Sequence, residues 1–596
     1  MQNPLMFKQM KKIKYIALVL LIASMSCTDM LDESPKSTLT PDNLFETVDD
    51  AKAAAMGMYE GLIVSNESPN GNWGVLFPVY GWGIMGTDIW SISVANKGVQ
   101  SRFSRYSLSA AESQVRSNWT DSYKVINRAN NIIAYVNNIS ASEETINTFL
   151  AEAHFIRALC YMDLVQFYGG VPLRLTPTSD IKEDLGEPRA TEEATWAQVF
   201  ADLEFAEQYL PEVTNPGRAT KWAAKGLLAK AYLTRGGYPV GNYQEPEWFD
   251  KAAKKAYEVI SQSGKGVNPT TQGDAGAFKE YGSQFIVSGE NSPESLFELQ
   301  FQEADYGSGW GYRTIAGGKR WDNTDYGNFY AMYGGSVVGS DFALSFNDDD
   351  IRFQWSIGPY GLNPKGRIAK PLTQWMPNKH RWESIPGNAW KSSNNAIVLR
   401  MADVYLLFAE AANEATGDPN DSQYGMSAYE AINVVRERAQ VPVIDDTYLM
   451  KDSPFSSVDL LYGMSFQSFK KSDSNYDGRH VYYTGSLQER FSAAVLMERG
   501  WELCFERHRW FDLKRTGKLV DFAQNTQIAA MGKLGKDALF DPIDKSEWLN
   551  ASNEPKKGNQ VWPPSGIQDH NIYIPIPDVE IQINPEMSQA DQNVGY

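Results

Sequence analysis

Three glutamates at four-residue steps, Glu498, Glu502 and Glu506, are the nearest approach in the sequence to a catalytic acid pair. Helical spacing sets their carboxylates on one face, and glycosidases use two such groups, one to protonate the leaving oxygen and one to attack or to activate water. Three like charges on one face also repel, and Arg499, Arg507 and Arg509 stand within reach to neutralise them. The expected arrangement is a buried ion-pair network fixing two helices, not a reacting pair. The five histidines, His154, His380, His480, His508 and His570, include no pair at metal-ligand spacing, and no HExxH, GxSxG or P-loop pattern occurs. No enzymatic activity is expected.

Two further patterns are weaker than they look. Gly81-Trp-Gly-Ile-Met-Gly86 has the glycine spacing of a dinucleotide loop, yet Thr87 to Ser93 is no amphipathic helix and no acid stands about 20 residues on to hold a ribose. Asp473, Asn475 and Asp477, with Gly478, occupy the first, third, fifth and sixth positions of an EF-hand loop, but position twelve is Thr484 where a bidentate glutamate belongs. A plain Asp/Asn/Gly turn is the expected structure, with a structural calcium site as its competitor and no other cofactor.

Aromatic side chains carry the remaining chemistry. Pyranose rings present an apolar face of axial C–H groups, on which indole and phenol rings stack while short polar side chains bond the hydroxyls. Two blocks supply such rings among Gly, Asn and Asp: Asn72, Trp73, Trp82, Asp88 and Trp90, then Tyr306, Trp310, Tyr312, Arg313, Trp321, Asp322 and Tyr326. Trp73, Trp82, Trp90, Tyr306, Trp310, Tyr312 and Trp321 are the candidate ligand-binding residues. Trp196 and Trp222, by contrast, sit at helical core spacing.

Helical segments must position these blocks. Ser140 with Glu143 fits a capping box ahead of Ile146, Phe149, Ala153, Ile156, Cys160, Leu164 and Phe167, and Gly169-Gly-Val-Pro172 ends the run. Thr191 opens a second helix stopped by Pro211, and Thr220 opens a third closed by Gly236-Gly237. Further helices read over 118–138, 401–416 and 427–440. Short connections imply antiparallel pairs, and small residues at crossing positions (Ala223, Gly226, Ala231; Ala409, Ala412) suit close helix packing. No strict 34-residue period is present, so the expected fold is all-α, of divergent tetratricopeptide-like hairpins with long loops and a few short strands. Between 264 and 397 the periodicity fades into Gly, Asn, Asp and aromatics, with a strand over 295–301; so long a loop region is expected to serve binding.

At 596 residues the chain exceeds a single small module, and its formal charge is -18. Without the first 26 residues, which hold Lys8, Lys11, Lys12 and Lys14 and no acid, the charge is -22. Such a surface repels phosphate backbones, so nucleic acid is excluded as an expected partner. Met10 to Lys14 is a basic stretch, Tyr15 to Ala23 an apolar run too short to span a bilayer, and Ser24-Met-Ser precedes Cys27. This reads as an export signal over 1–26 with Cys27 as the acylated residue, followed by an acidic tether over 27–40; ordinary secretion is the competing reading. Cys160 and Cys504 fall in apolar-patterned segments, read as buried free thiols in preference to a disulfide.

Five segments in order resemble the SusD/RagB family of outer-membrane nutrient-uptake lipoproteins of Bacteroidetes. They are Cys27 with its acidic tether, 151–158 running into 163–173, 400–413, 498–506 with 509–515, and Pro575-Ile-Pro577 with Ile581 and Asn584-Pro585. His508 stands where many members have glycine. The resemblance implies an N-terminal tetratricopeptide-type region over 41–263 and a loop-rich C-terminal region over 264–596. It further implies a surface-exposed outer-membrane protein that captures glycans, or in some members peptides, and passes them to a SusC-type TonB-dependent porin. A scaffold for protein partners alone is the third reading. The overall negative charge disfavours sulfated or uronate-rich chains unless a basic patch exists, and Arg313, Lys319 and Arg320 make one conceivable.

Overall fold

In a computed structural model of the chain the described residues are 45–63, 83, 85–92, 99–178, 186–271, 277–301, 336–347, 349–362, 368–377, 379–380, 394–451, 460–461, 464–465, 481–525 and 566–596. Among the described residues six long helices come first: α1 (Val48–Ile63), α2 (Ser113–Tyr135), α3 (Glu143–Tyr168), α4 (Glu192–Tyr209), α5 (Lys221–Gly236) and α6 (Pro246–Gln262), with a short one at Val99–Ser104. Each long helix packs on its successor. The series resumes with α7 (Met401–Thr416), which packs on α6, then α8 (Ala428–Arg438), α9 (Leu487–Glu502), α10 (Arg509–Arg515) and, in the tail, α11 (Asp578–Ile583). The fold is therefore all-α in the stacked-hairpin manner the sequence implies.

Local chemistry sets the boundaries. The Thr191 and Thr220 hydroxyls accept from Ala194 N (3.1 Å) and Ala223 N (3.2 Å), as expected of N-caps. Helix α3 departs from expectation, because its cap is Ser142, accepting from Thr145 N at 3.2 Å, and not Ser140. Ser142 has the extended backbone of an N-cap, and Glu143 and Glu144 then fall in the first turn, where they favour the positive end of the helix dipole. At its other end Gly169 takes a φ of +77°, and a Cβ on Gly170 would meet the Ala190 carbonyl oxygen at 2.0 Å. The glycine pair thus lets the 189–190 segment close on the helix end, where Pro172 bridges to Arg189. From Phe155 to Tyr168 every residue of α3 is buried, which makes it the central helix.

Strand β1 (Ser295–Leu299) pairs antiparallel with β2 (Ala396–Arg400), Ser295 opposite Arg400 and Leu299 opposite Ala396. Gly226 of α5 lies against this pair and against α7, because a Cβ there would meet Leu399 Cδ2 at 2.5 Å and Val404 Cγ2 at 3.6 Å; its smallness serves helix-on-sheet packing as well as the helix approach. Between 264 and 397 the described residues hold more structure than expected. Short helices occupy Ala277–Gly282, Ser340–Ser345 and Ile351–Ser356, and Ile357–Leu362 pairs with Ile368–Pro377. One buried apolar cluster extends from Phe45 to Met587, and a small second one gathers Tyr281, Phe285 and Trp355. Cys160 in α3 and Cys504 beyond α9 are buried and free.

Helix α8 begins with a full capping box: Ser427 Oγ accepts from Glu430 N at 3.1 Å, and Ser427 N donates to Glu430 Oε2 at 2.7 Å. Ser427→Ala removes one of these bonds and is expected to cost about 1 kcal/mol. A urea titration should show a lower midpoint with an unchanged slope; an unmoved midpoint would assign the helix start to packing alone.

Candidate functional site

The glutamate face is the densest cluster of ionisable groups in the described structure. Glu498 meets Arg352 (2.5 Å) and Arg436 (2.6 Å). Glu502 meets Arg438 (2.5 Å), Arg400 (2.7 Å) and Arg352 (3.1 Å). Glu506 meets Lys379 (2.5 Å) and Arg400 (2.7 Å). Glu294, from the residue before β1, joins Arg400 (2.6 Å) and Arg438 (3.0 Å), and Asp350 holds Arg352 at 2.8 Å. Five cations meet five carboxylates, all buried. A closed set of this kind leaves no carboxyl facing solvent and no space for a sugar between acids, as a hydrolase would require.

The expected partners are corrected. Arg499 bonds Asp403 (2.8 Å) and Asp512 (3.0 Å), Arg507 bonds Asp163 (2.8 Å), and Arg509 holds Asp88 through Nε at 2.8 Å. Helix α9 also ends at Glu502, so Glu506 is not on its face but in the following turn, where Phe505 and Arg507 take positive φ values of 62° and 72°. Burial raises the Glu502 carboxyl, but Arg438, Arg400 and Arg352 outweigh it and hold the group well below the carboxylate range. Glu506 responds the same way to burial, Arg400 and Lys379, and is held at about 2.

A second balanced cluster lies beside the first. Arg499, Arg515 and Lys230 meet Asp403, Asp512 and Glu410. His508 is buried here with Nδ1 at 2.8 Å from Lys230 Nζ. Burial and the neighbouring Lys230 charge push its pKa down to about 3, so the ring is neutral and accepts from the lysine. The residue that departs from the family pattern is thus a packing and hydrogen-bonding element.

Of the candidate aromatic residues, Trp90 lies among the described residues, and the expectation placed on it is corrected. It is 0% exposed, in a turn pinned by the Asp88–Arg509 pair, and offers no face to a ligand. Trp73, Trp82, Tyr306, Trp310, Tyr312 and Trp321 lie outside the described residues, as do Cys27, the basic trio Arg313, Lys319 and Arg320, and the loop of Asp473, Asn475 and Asp477. Thr484 is described and exposed.

An open groove of about 710 Å³ runs between α2, the 174–178 segment and α11. The tail creates it by folding back: Ile574 N donates to Phe167 O (2.9 Å), and Asn593 Nδ2 donates to Tyr168 O (3.0 Å) and Ile574 O (2.7 Å). At its base Glu580 accepts from Trp119 Nε1 (3.2 Å), Arg174 (3.1 Å) and Asn584 (3.0 Å), and the Arg174 guanidinium lies over the Tyr123 ring at 5.4 Å. Nothing in the sequence pairs residues 116–128 with 579–583; the one readable sign is Arg116, Thr120, Lys124 and Arg128 at four-residue steps on one helix.

Fold and site together define a scaffold of stacked helical hairpins whose acids are locked in internal pairs and whose tail closes a cationic groove. The SusD family model matches residues 319–596, and a second model, described as starch-binding associating with outer membrane, matches residues 84–233. The chain belongs to the SusD family. It is 27% identical to SusD-like protein P25 of Formosa agariphila, over 97% of this chain and 98% of that one. Its fold is similar to that of a SusD homolog from Bacteroides thetaiotaomicron (TM-score 0.70, 21% identity, 93% and 98% of the two chains). It is also similar to that of a laminarin-binding SusD-like protein (TM-score 0.64, 20% identity, 93% and 100%).

Proposed function

We propose that this chain is a non-catalytic, lipid-anchored protein of the outer-membrane surface that captures oligosaccharides and delivers them to a SusC-type TonB-dependent transporter. The observation that carries the non-catalytic part is the closed pairing of Glu498, Glu502 and Glu506 with Arg352, Arg400, Arg436, Arg438 and Lys379. Capture of a glycan is supported by the starch-binding description of the family model and by the laminarin-binding relative. In this reading Cys27 carries the acyl anchor, residues 27–40 form the tether, and Trp73, Trp82, Tyr306, Trp310, Tyr312 and Trp321 supply stacking rings; no cofactor takes part.

Isothermal titration of the purified protein with neutral β-glucan and xyloglucan oligosaccharides and with extended peptides tests it. A neutral glycan is expected to bind, with no new reducing ends after prolonged incubation. Binding confined to peptides would overturn the glycan reading, and released sugar would overturn the absence of catalysis. The transporter is expected to co-purify with the protein from detergent-solubilised outer membranes.

A further inference from the structure

We propose that the groove between α2 and α11 is a subsite for the acidic groups of an anionic oligosaccharide, one that bears uronate carboxylates or sulfate esters. The inference rests on the glycan-capture reading and narrows its substrate class. On a chain of formal charge -18, the groove reverses the sign: Arg116, Lys124, Arg128 and Arg174 line it against one lining carboxylate, Glu580, and a second carboxylate, Asp121, which lies 3.8 Å from Lys124; Arg128 also donates to the Gly57 carbonyl oxygen. The Glu580 carboxylate is 10% exposed, and its oxygens are occupied by Trp119, Arg174 and Asn584, so its pair with Arg174 is close to neutral and the surplus positive charge comes from Arg116, Lys124 and Arg128. The Lys124 and Arg174 side chains are 42% and 31% exposed, and Arg116 is exposed.

The opposite rim has different chemistry. Val579 and Ile583 of α11 are 36% and 70% exposed, an unusual placement for two large apolar side chains on so short a helix. A sugar acid has both matching faces, C–H groups for the apolar rim and an anionic oxygen pair for the guanidinium and ammonium groups. The groove's volume falls in the range of small-ligand sites, and its concavity suits an oligosaccharide better than a flat lipid surface.

Titration of the wild-type protein and of an Arg116→Glu/Lys124→Glu variant with oligogalacturonate, chondroitin sulfate oligosaccharide and neutral laminari-oligosaccharide tests this. At least one acidic probe is expected to bind the wild type, to weaken when salt is raised, and to lose about tenfold or more in affinity in the variant. Which acidic probe responds separates carboxylate from sulfate recognition. Neutral binding and the thermal midpoint are expected to stay unchanged, and Lys124→Ala alone provides a milder check should the double reversal lower the midpoint. Acidic probes that bind both proteins equally, or that fail to bind while the neutral one binds, overturn the groove assignment and leave glycan capture standing. Failure of every glycan overturns both.

Discussion

Glu502→Ala is expected to lower the folding stability by about 3–5 kcal/mol, the largest single-residue effect in the molecule. Its carboxylate sits between Arg438, Arg400 and Arg352, all buried. Truncation leaves the cluster with five cations and four carboxylates, one positive charge uncompensated in a medium that solvates it poorly. A neutral Glu502→Gln keeps the volume and one acceptor and should recover part of the loss. Urea unfolding followed by circular dichroism checks both variants, with the midpoints ordered wild type, glutamine, alanine. A catalytic glutamate would behave in the reverse way, since removing a carboxylate from an open site usually relieves strain. An alanine variant as stable as the wild type would refute the network's structural role.

The same cluster shows where sequence reading succeeds and stops. Helix starts are legible at Thr191, Thr220 and Ser427 because a cap is a local event, settled by a hydroxyl and an amide three residues on. The Glu498–Glu502 pairing of faces is legible for the same reason. Their partners are not. Neighbouring arginines are the natural choice in sequence, yet Arg499 follows Glu498 by one residue and therefore projects about 100° around the helix, toward Asp403 and Asp512. The actual partners come from β2, α8 and residues 352 and 379, and only tertiary packing brings them together. Trp90 misleads in the opposite direction. Its Gly- and Asp-containing surroundings suggest an exposed loop, but Asp88 is consumed by Arg509 and pulls the turn into the core.

Acidification is expected to destabilise the protein chiefly below pH 4.5, and the sign follows from which groups bind protons. His508 has an ordinary value of 6.5 and is held at about 3 in the fold, because burial and the Lys230 charge penalise its cation. The unfolded chain therefore takes up this proton first, and the contribution of this group declines as the pH falls from 6.5. Glu506 and Asp512, with ordinary values of 4.5 and 3.8, are both held at about 2 by cations that outweigh burial, Arg400 and Lys379 for the first and Arg499 and Arg515 for the second. Their contribution is complete above the ordinary carboxylate values and is lost as the pH falls from there toward 2, on the order of 2–3 kcal/mol for each. Glu502 and Asp403 are shifted in the same direction and deepen the loss. Glu152, Asp163, Glu298 and Glu414 oppose it, since burial raises them above the ordinary values and their protonation favours the fold; Glu414, pushed up to about 7, gains over the same interval in which His508 loses. The depressed carboxylates sit among several cations each and dominate. Thermal midpoints measured from pH 7 to pH 3 should thus stay nearly level to about 4.5, where Glu414 and His508 offset one another, and drop steeply below it. His508→Asn, whose amide oxygen can still accept from Lys230, should leave the Glu414 gain unopposed, so that the midpoint rises as the pH falls from 7 to 4.5, and should keep the steep stage in place. A midpoint that stays level down to pH 3 would mean that the buried carboxylates titrate at their ordinary values and that the pairs in the core do not hold them ionised.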